Sequence, residues 1–312
     1  MNNKEMVVRE LIKRGYSIRN GTKVWDVSDS KLWFSTPELS KAFLELKRNS
    51  FYKEHVDDRE MLLLNGNTKK IVEMLGTKNF NLIEIGCAEG SKAATFIKNL
   101  PNNVKIKFYP IDVSSYFIEQ VTNKIKNLYS PNVVEIKPFI QGLKNFDDIV
   151  TSLRSAEYKQ NVILFLGSLL TMGEITDTLF KLSNAMLDGD VLIIGNGIRT
   201  GERFAELEKY QDPLFDKWFV NVMKSLGFTE SEINYDARFA HGRVEGFYKV
   251  KVDKLVGYDS KHINFKPGDE VVIGIHYKYY EHELKELIGL YFKNIEVIKD
   301  PTGNHALFIC RK

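Results

Sequence analysis

The stretch Asn81-Leu-Ile-Glu-Ile-Gly-Cys-Ala-Glu-Gly-Ser-Lys92 decides the fold. A short apolar run meets an acidic residue, then a tight Gly-x-x-x-Gly turn, then a segment rich in Lys, Ala and Phe. That order predicts a strand, a turn and a helix, with flexible backbone at the carboxyl end of the strand. Open α/β sheets bind their ligands at that end. The dinucleotide pattern Gly-x-Gly-x-x-Gly is not met, because Ala88 stands where the second glycine belongs, between Gly86 and Gly90. Hydride transfer is disfavoured for the same reason.

Outward from this turn the chain alternates. Strands are predicted at Lys105–Ile111, Val133–Ile136, Val162–Leu166 and Val191–Gly195, and helices over 91–99, 114–127, 143–154 and 172–186. Near-continuous apolar strands separated by helices indicate a parallel sheet covered on both faces. On the N-terminal side the spacing predicts a helix over 3–15, a hairpin turning at Asn20-Gly21, and helices from Thr36 to Arg48 and Asp57 to Leu75. Beyond residue 200 the alternation breaks. One or two helices interrupted by Asp212-Pro213 lead into an all-β pattern, at 237–241, 242–251, 254–258 and 270–277. A helix over 281–292 and strands at 295–299 and 306–311 close the chain. Two domains follow from this: a sheet domain at 61–197 and 281–312, and a second α+β domain at 1–60 and 198–280.

Bulk properties exclude several classes. The 312 residues hold 44 basic and 41 acidic side chains, a net charge of +3, so no global field points to nucleic acid or a membrane surface. No basic stripe interleaves with aromatics. No apolar run approaches the roughly 20 residues that span a bilayer, and the N-terminal segment carries charges throughout its apolar residues, unlike a secretory leader. Two cysteines, Cys87 and Cys310, and six histidines without ligand spacing argue against disulfides and a metal site. A cytoplasmic protein, monomeric or homodimeric, is expected.

The turn, with Glu84 two residues before Gly86, reads as the first motif of an S-adenosylmethionine (SAM) methyltransferase. Asp112 ends the second strand, where a carboxylate can accept both ribose hydroxyls of an adenosine ligand; alternatively it caps the helix that follows. Lys92 can meet the methionine carboxylate of such a cofactor or be a solvated lysine. Pro138-Phe139 closes the third strand, where backbone and an apolar side chain bracket an adenine. Gly167 lets backbone approach a ligand, and Ser168 is either a further contact or a helix N-cap.

Several segments together resemble one family, the histidine Nα-methyltransferases of ergothioneine biosynthesis. They are Glu84–Lys92, Tyr109-Pro-Ile-Asp-Val-Ser114, Phe165-Leu-Gly-Ser168, Asp188-Gly-Asp190, Tyr210-Gln-Asp212, Phe219-Val-Asn-Val222, Tyr277-Lys-Tyr279 and Asp300-Pro-x-Gly303, in the family's order. The resemblance implies a Rossmann-like class I SAM methyltransferase sheet with an antiparallel last strand, joined to an α+β substrate domain. It implies Gly86, Lys92 and Asp112 as cofactor ligands with Pro138 and Phe139 flanking the adenine, and Glu84, Gly90, Gly167 and Ser168 join them as candidates from the glycine turn and the end of the fourth strand. It places Tyr210 on a tyrosine that holds the substrate's amino-acid head, and Tyr52 on another pocket tyrosine.

Departures fall on the acceptor side. Where the family's histidine-specific members carry an asparagine, Met172 stands here. Where they carry an acidic residue and a serine before Tyr-Lys-Tyr, this chain reads Gly274-Ile-His276. A site built from hydrogen-bond partners loses its selectivity when they are replaced, so the expected acceptor is an amino acid or amino-acid-derived amine other than histidine. Tyr52, Met172, Tyr210, Gly274, His276 and Tyr279 are the candidate substrate residues. Of these, Tyr52, Tyr210 and His276 are the candidates for chemistry, although His276 also reads as an ordinary strand residue beside Tyr277. A peptide amine, an oxygen acceptor or a non-catalytic SAM-binding role are the alternatives.

Overall fold

The structure, a computed structural model, describes residues 3–76, 78–143, 145–201 and 207–312. The chain forms two compact units, Met1–Leu46 with Gly201–Lys278 and Lys47–Thr200 with Tyr279–Lys312. Helix Asp58–Leu75 buries Leu63, Leu64, Ile71, Val72 and Leu75 in the core of the second unit, and the segment from residue 47 that leads into it falls there too.

The second unit is built on a mixed sheet whose principal strands, in chain order, are Asn79–Ile85, Lys105–Asp112, Val133–Ile136, Gln160–Phe165, Val191–Gly197, Asn294–Lys299 and His305–Arg311. In space they run third, second, first, fourth, fifth, seventh, sixth. The first five are parallel, and the seventh pairs antiparallel with both the fifth and the sixth. The period of two explains the layers. Phe80 and Leu82 pack on one face with helices Asp58–Leu75, Ser91–Lys98 and Ser115–Lys126. Ile83 and Ile85 pack on the other with Phe146–Ser152, Ile175–Ala185 and Glu281–Gly289. The connections leaving the first and third strands run to opposite sides of the first strand, so the carboxyl ends of the first and fourth strands flank the topological switch point. This is the class I methyltransferase arrangement, with its antiparallel last strand.

The first unit holds a five-stranded sheet in the order Tyr16–Arg19, Thr22–Asp26, Glu270–Tyr277, Arg243–Val250, Ile233–Ala240. Asn20 and Gly21, both at positive φ, close the hairpin between the first two. Lys254–Tyr258 pairs with Lys261–Phe265, a strand the turn-based reading passed over. Its alternation of exposed His262 and Asn264 with buried Ile263 and Phe265 is the strand signature. Helices Asn3–Arg14, Pro37–Arg48 and Pro213–Ser225 complete the unit; Asp212 caps the last by accepting from Leu214 N at 2.8 Å. The stretch 202–206 of the helical segment expected after residue 200, and the side chain of Phe51, lie outside the described residues. Among the described residues no helix is long and apolar enough to cross a membrane.

Candidate functional site

The turn after the first strand is made of left-handed backbone: Gly86, Ala88 and Gly90 have φ of 67°, 44° and 74°. A Cβ on Gly86 would lie 2.3 Å from Leu169 Cδ1, and one on Gly90 would lie 2.4 Å from Val121 Cγ2. Glycine is therefore required at both ends of the turn, by conformation and by space. Ala88 keeps its methyl group in the strained region because its N–H donates to Asp112 Oδ2 at 3.3 Å. Gly86 N donates to the Ile111 carbonyl at 2.8 Å, which ties the turn to the second strand.

Asp112 is 6% exposed. Its Oδ1 accepts from Ser114 N at 2.9 Å, and burial pushes its carboxyl up to about 6. The cap of the next helix is Ser114 itself, whose hydroxyl accepts from Phe117 N at 3.4 Å. Asp112 instead joins the end of the second strand to the glycine turn. Its Oδ2 also faces the Cys87 thiol at 3.9 Å, and its place at the strand end is where a carboxylate meets ribose hydroxyls in such sheets. Beside it, Phe139 and Ile140 pair with Ile111 and Asp112, and Gln141 N donates to the Asp112 carbonyl. The half-buried Phe139 ring lies 6.4 Å from Tyr109, while Pro138 is exposed.

Glu84, on the strand leading into the turn, is 2% exposed. Its Oε1 accepts from Ala93 N at 3.2 Å, its Oε2 has no hydrogen-bond partner, and burial raises it to about 8. At neutral pH it is a buried acid with an unmet polar atom, a condition that native interiors avoid unless a ligand completes the set. Bare left-handed backbone, a buried strand-end aspartate and this orphaned carboxyl fit an adenosyl cofactor with an amino-acid end.

Lys92 is not solvated. Its ammonium is bonded to Glu60 and lies 3.6 Å from Asp57 Oδ1. Glu60, which the sequence reading did not single out, is fully buried at 0% exposure. Both its oxygens accept from Gly167 N, at 2.9 and 3.0 Å, and His305 Nε2 lies 3.3 Å away. Burial opposes its ionisation, but Lys92 and His305 outweigh that and hold its carboxyl well below the usual range. A signal was present: Glu60 falls at helical spacing with Leu64, Thr68, Ile71 and Leu75, all buried, so an acid stands on an apolar face.

Nearby, Lys47 bonds both oxygens of Glu89 at 2.9 Å and pairs with Asp57 at 3.1 Å. Burial, then the carboxylates of Asp57, Glu60 and Glu89, push the Tyr52 phenol upward. Ser168, at φ 60°, occupies the N-cap position of a short turn, but its hydroxyl accepts from Gly197 N at 2.9 Å. Met172 ends that turn and is half-buried, and Tyr279 packs on the sheet unit's core.

The remaining candidates lie in the other unit. Tyr210 Oη is 2.9 Å from His276 Nδ1, and Lys278 Nζ is 3.0 Å from the same nitrogen. Tyr235 donates to the Tyr210 carbonyl at 3.0 Å, which fixes that segment. Gly274 shares a sheet face with His276 and pairs across the strands with Gly246. Phe219 fills the space these glycines leave: a Cβ on Gly274 would lie 2.7 Å from Phe219 Cζ.

Among solved structures, the chain is similar to a SAM-dependent methyltransferase of Clostridium acetobutylicum, at 11% identity and a TM-score of 0.43, covering 87% of this chain and 98% of that one. It is also similar to the 1,6-didemethyltoxoflavin-N1-methyltransferase of Burkholderia thailandensis, solved with S-adenosylhomocysteine, at 9% identity and 0.43 over 88% and 87%. A third likeness is to an O-methyltransferase, itself assigned without experiment, of Nostoc punctiforme, at 10% and 0.45 over 99% and 68%. No curated protein matches significantly. The sequence profile described as "Histidine-specific methyltransferase, SAM-dependent" matches residues 41–312, spanning both the glycine turn and the Tyr210 and His276 segments. The chain therefore belongs to the histidine-specific, SAM-dependent methyltransferase family.

Proposed function

We propose that this SAM-dependent methyltransferase methylates the amine of an amino acid or amino-acid-derived small molecule, and that histidine is not its acceptor. The reading rests on the cluster of Tyr210, His276 and Lys278 beside the closed position at Gly274. A phenol and an ammonium converge within 3.0 Å of one imidazole nitrogen. Such donors suit a carboxylate, through charge-assisted hydrogen bonds. Lys278 Nζ is also 3.5 Å from Nε2, so its ammonium lies over the imidazole ring, while the Tyr210 hydroxyl meets Nδ1.

Holding an imidazole calls for hydrogen-bond partners such as the family's acidic residue and serine, and here that segment reads Gly274-Ile-His276, with Phe219 in the space beside Gly274. A pocket without that partner does not select histidine over other amino acids.

SAM, when bound, supplies a methyl group on a sulfonium. The chain's own part is to hold the acceptor by its carboxylate, exclude water and align a neutral amine about 3 Å from the methyl carbon. Lys92, Asp112 and the glycine turn would hold the cofactor, the nitrogen would take its methyl group as the sulfonium became a thioether, and the amine proton would pass to solvent. Tyr52, kept protonated, acts as a donor in this scheme. We place the reaction in the cytoplasm, in a monomer or homodimer without nucleic-acid or membrane partners.

Incubating the protein with labelled SAM and a metabolite extract, followed by mass spectrometry, tests this. The expected outcome is label on a small amine bearing a carboxylate. Label on protein, on an oxygen, or on free histidine at ordinary concentrations overturns it.

A further inference from the structure

The Glu60 carboxylate touches three separate elements of the sheet unit. It accepts from Gly167 N beyond the fourth strand, bonds Lys92 on the helix after the glycine turn, and faces His305 on the last strand. The fold makes room for it, since a Cβ on Gly195 would lie 1.7 Å from Glu60 Oε1. A buried carboxylate costs several kcal/mol unless its surroundings compensate, whereas an apolar residue would pack as Leu64 and Ile71 do one turn and three turns further on. A charge here is therefore explained by what it holds.

What it holds lies at the switch point. The Lys92 ammonium is 2.9 Å from where a Cβ on Gly167 would stand, so it rests over the bare backbone that Glu60 also fixes. An ammonium has three N–H donors. Glu60 takes one, and Asp57 at 3.6 Å is beyond hydrogen-bond reach, which leaves donors for a ligand anion.

We propose that Glu60 is a positioning residue for the cofactor: it fixes the Lys92 ammonium and the Gly167 turn so that Lys92 meets the carboxylate at the methionine end. The proposal rests on reading Lys92 as a cofactor contact. It makes Glu60 matter for the amino-acid end of the cofactor and not for its adenosine end.

Two ligands separate those ends. S-adenosylhomocysteine carries the amino-acid portion, and 5′-methylthioadenosine lacks it. By calorimetry, Glu60→Gln should weaken S-adenosylhomocysteine by about tenfold or more and leave methylthioadenosine within about twofold. Lys92→Met should show the same selective loss. The double variant should be little worse than either single one, because the two residues act through one contact. Equal weakening of both ligands by Glu60→Gln marks a purely structural role and overturns the proposal; so does unchanged affinity for S-adenosylhomocysteine. If Lys92→Met leaves that affinity unchanged, the Lys92 reading fails and this proposal fails with it. Loss of neither ligand in Asp112→Ala would instead count against the placement of the adenosine. Should circular dichroism show Glu60→Gln unfolded, Glu60→Asp retracts the charge by one methylene and is judged by the same two outcomes.

Discussion

The turn around Gly86 and the strand around His276 are built from different materials. The first is mostly backbone: left-handed glycines, amides given to Asp112 and Glu60, and side chains drawn back so that main chain is bare. The second is mostly side chain, with Tyr210, His276 and Lys278 drawn together from segments 66 residues apart in the chain. Backbone sites tolerate few residue types and keep a recognisable local spelling. Side-chain sites change their chemistry with one substitution. The contrast explains why the cofactor is readable from a motif while the acceptor is not.

The largest effect expected is at the backbone site. Asp112→Ala removes the carboxylate read as the acceptor of the ribose hydroxyls and should weaken S-adenosylhomocysteine by about a hundredfold in calorimetry. An unchanged constant would break the contrast, because the strand-end carboxylate would then serve the fold alone.

The same carboxylate should make binding sensitive to pH. Burial raises Asp112 to about 6, so it is increasingly protonated as pH falls through that value and loses acceptor capacity. Affinity for S-adenosylhomocysteine should be about tenfold lower at pH 5 than at pH 7, and Asp112→Asn should flatten the profile. The stability of the ligand-free protein follows the opposite sign. A folded pKa above the unfolded one favours the folded state at low pH, and that gain is lost as pH rises through about 6. A binding profile that is flat in the native protein would detach Asp112 from the cofactor.

Tyr210→Phe tests the side-chain site. Losing a phenol from the cluster proposed to hold the acceptor's carboxylate should raise the acceptor KM about tenfold and leave S-adenosylhomocysteine affinity within about twofold. Weakening of both together would show that the two regions are not energetically separate. The smallest effect is at Ser168. Its hydroxyl accepts from Gly197 N, so Ser168→Ala should cost about 1 kcal/mol in denaturant unfolding while cofactor affinity stays within about twofold. A large loss of affinity would show that Ser168 also contacts the cofactor.

The parallel strands, the turn and the terminal hairpin were legible because each rests on a local pattern: near-continuous apolar runs, glycine spacing and turn residues. Strand Lys261–Phe265 was passed over because its apolar residues number only two, Ile263 and Phe265, and it pairs with nothing but its neighbour. Glu60 escaped notice because an acid in a long helix is ordinary on a solvated face, and which face is solvated depends on what packs against it.

By itself, the order of residues determined the alternation of elements, the glycine turn, the strand-end aspartate and the family they imply, since all of these are dictated by backbone conformation over a few neighbours. Only the folded chain decided that Lys92 is held by Glu60 and Asp57 rather than solvent, that Ser168 serves Gly197, and that Phe219 closes the space at Gly274. Those outcomes depend on which distant side chains are buried together, and burial is what turns a charge or a missing Cβ into a constraint.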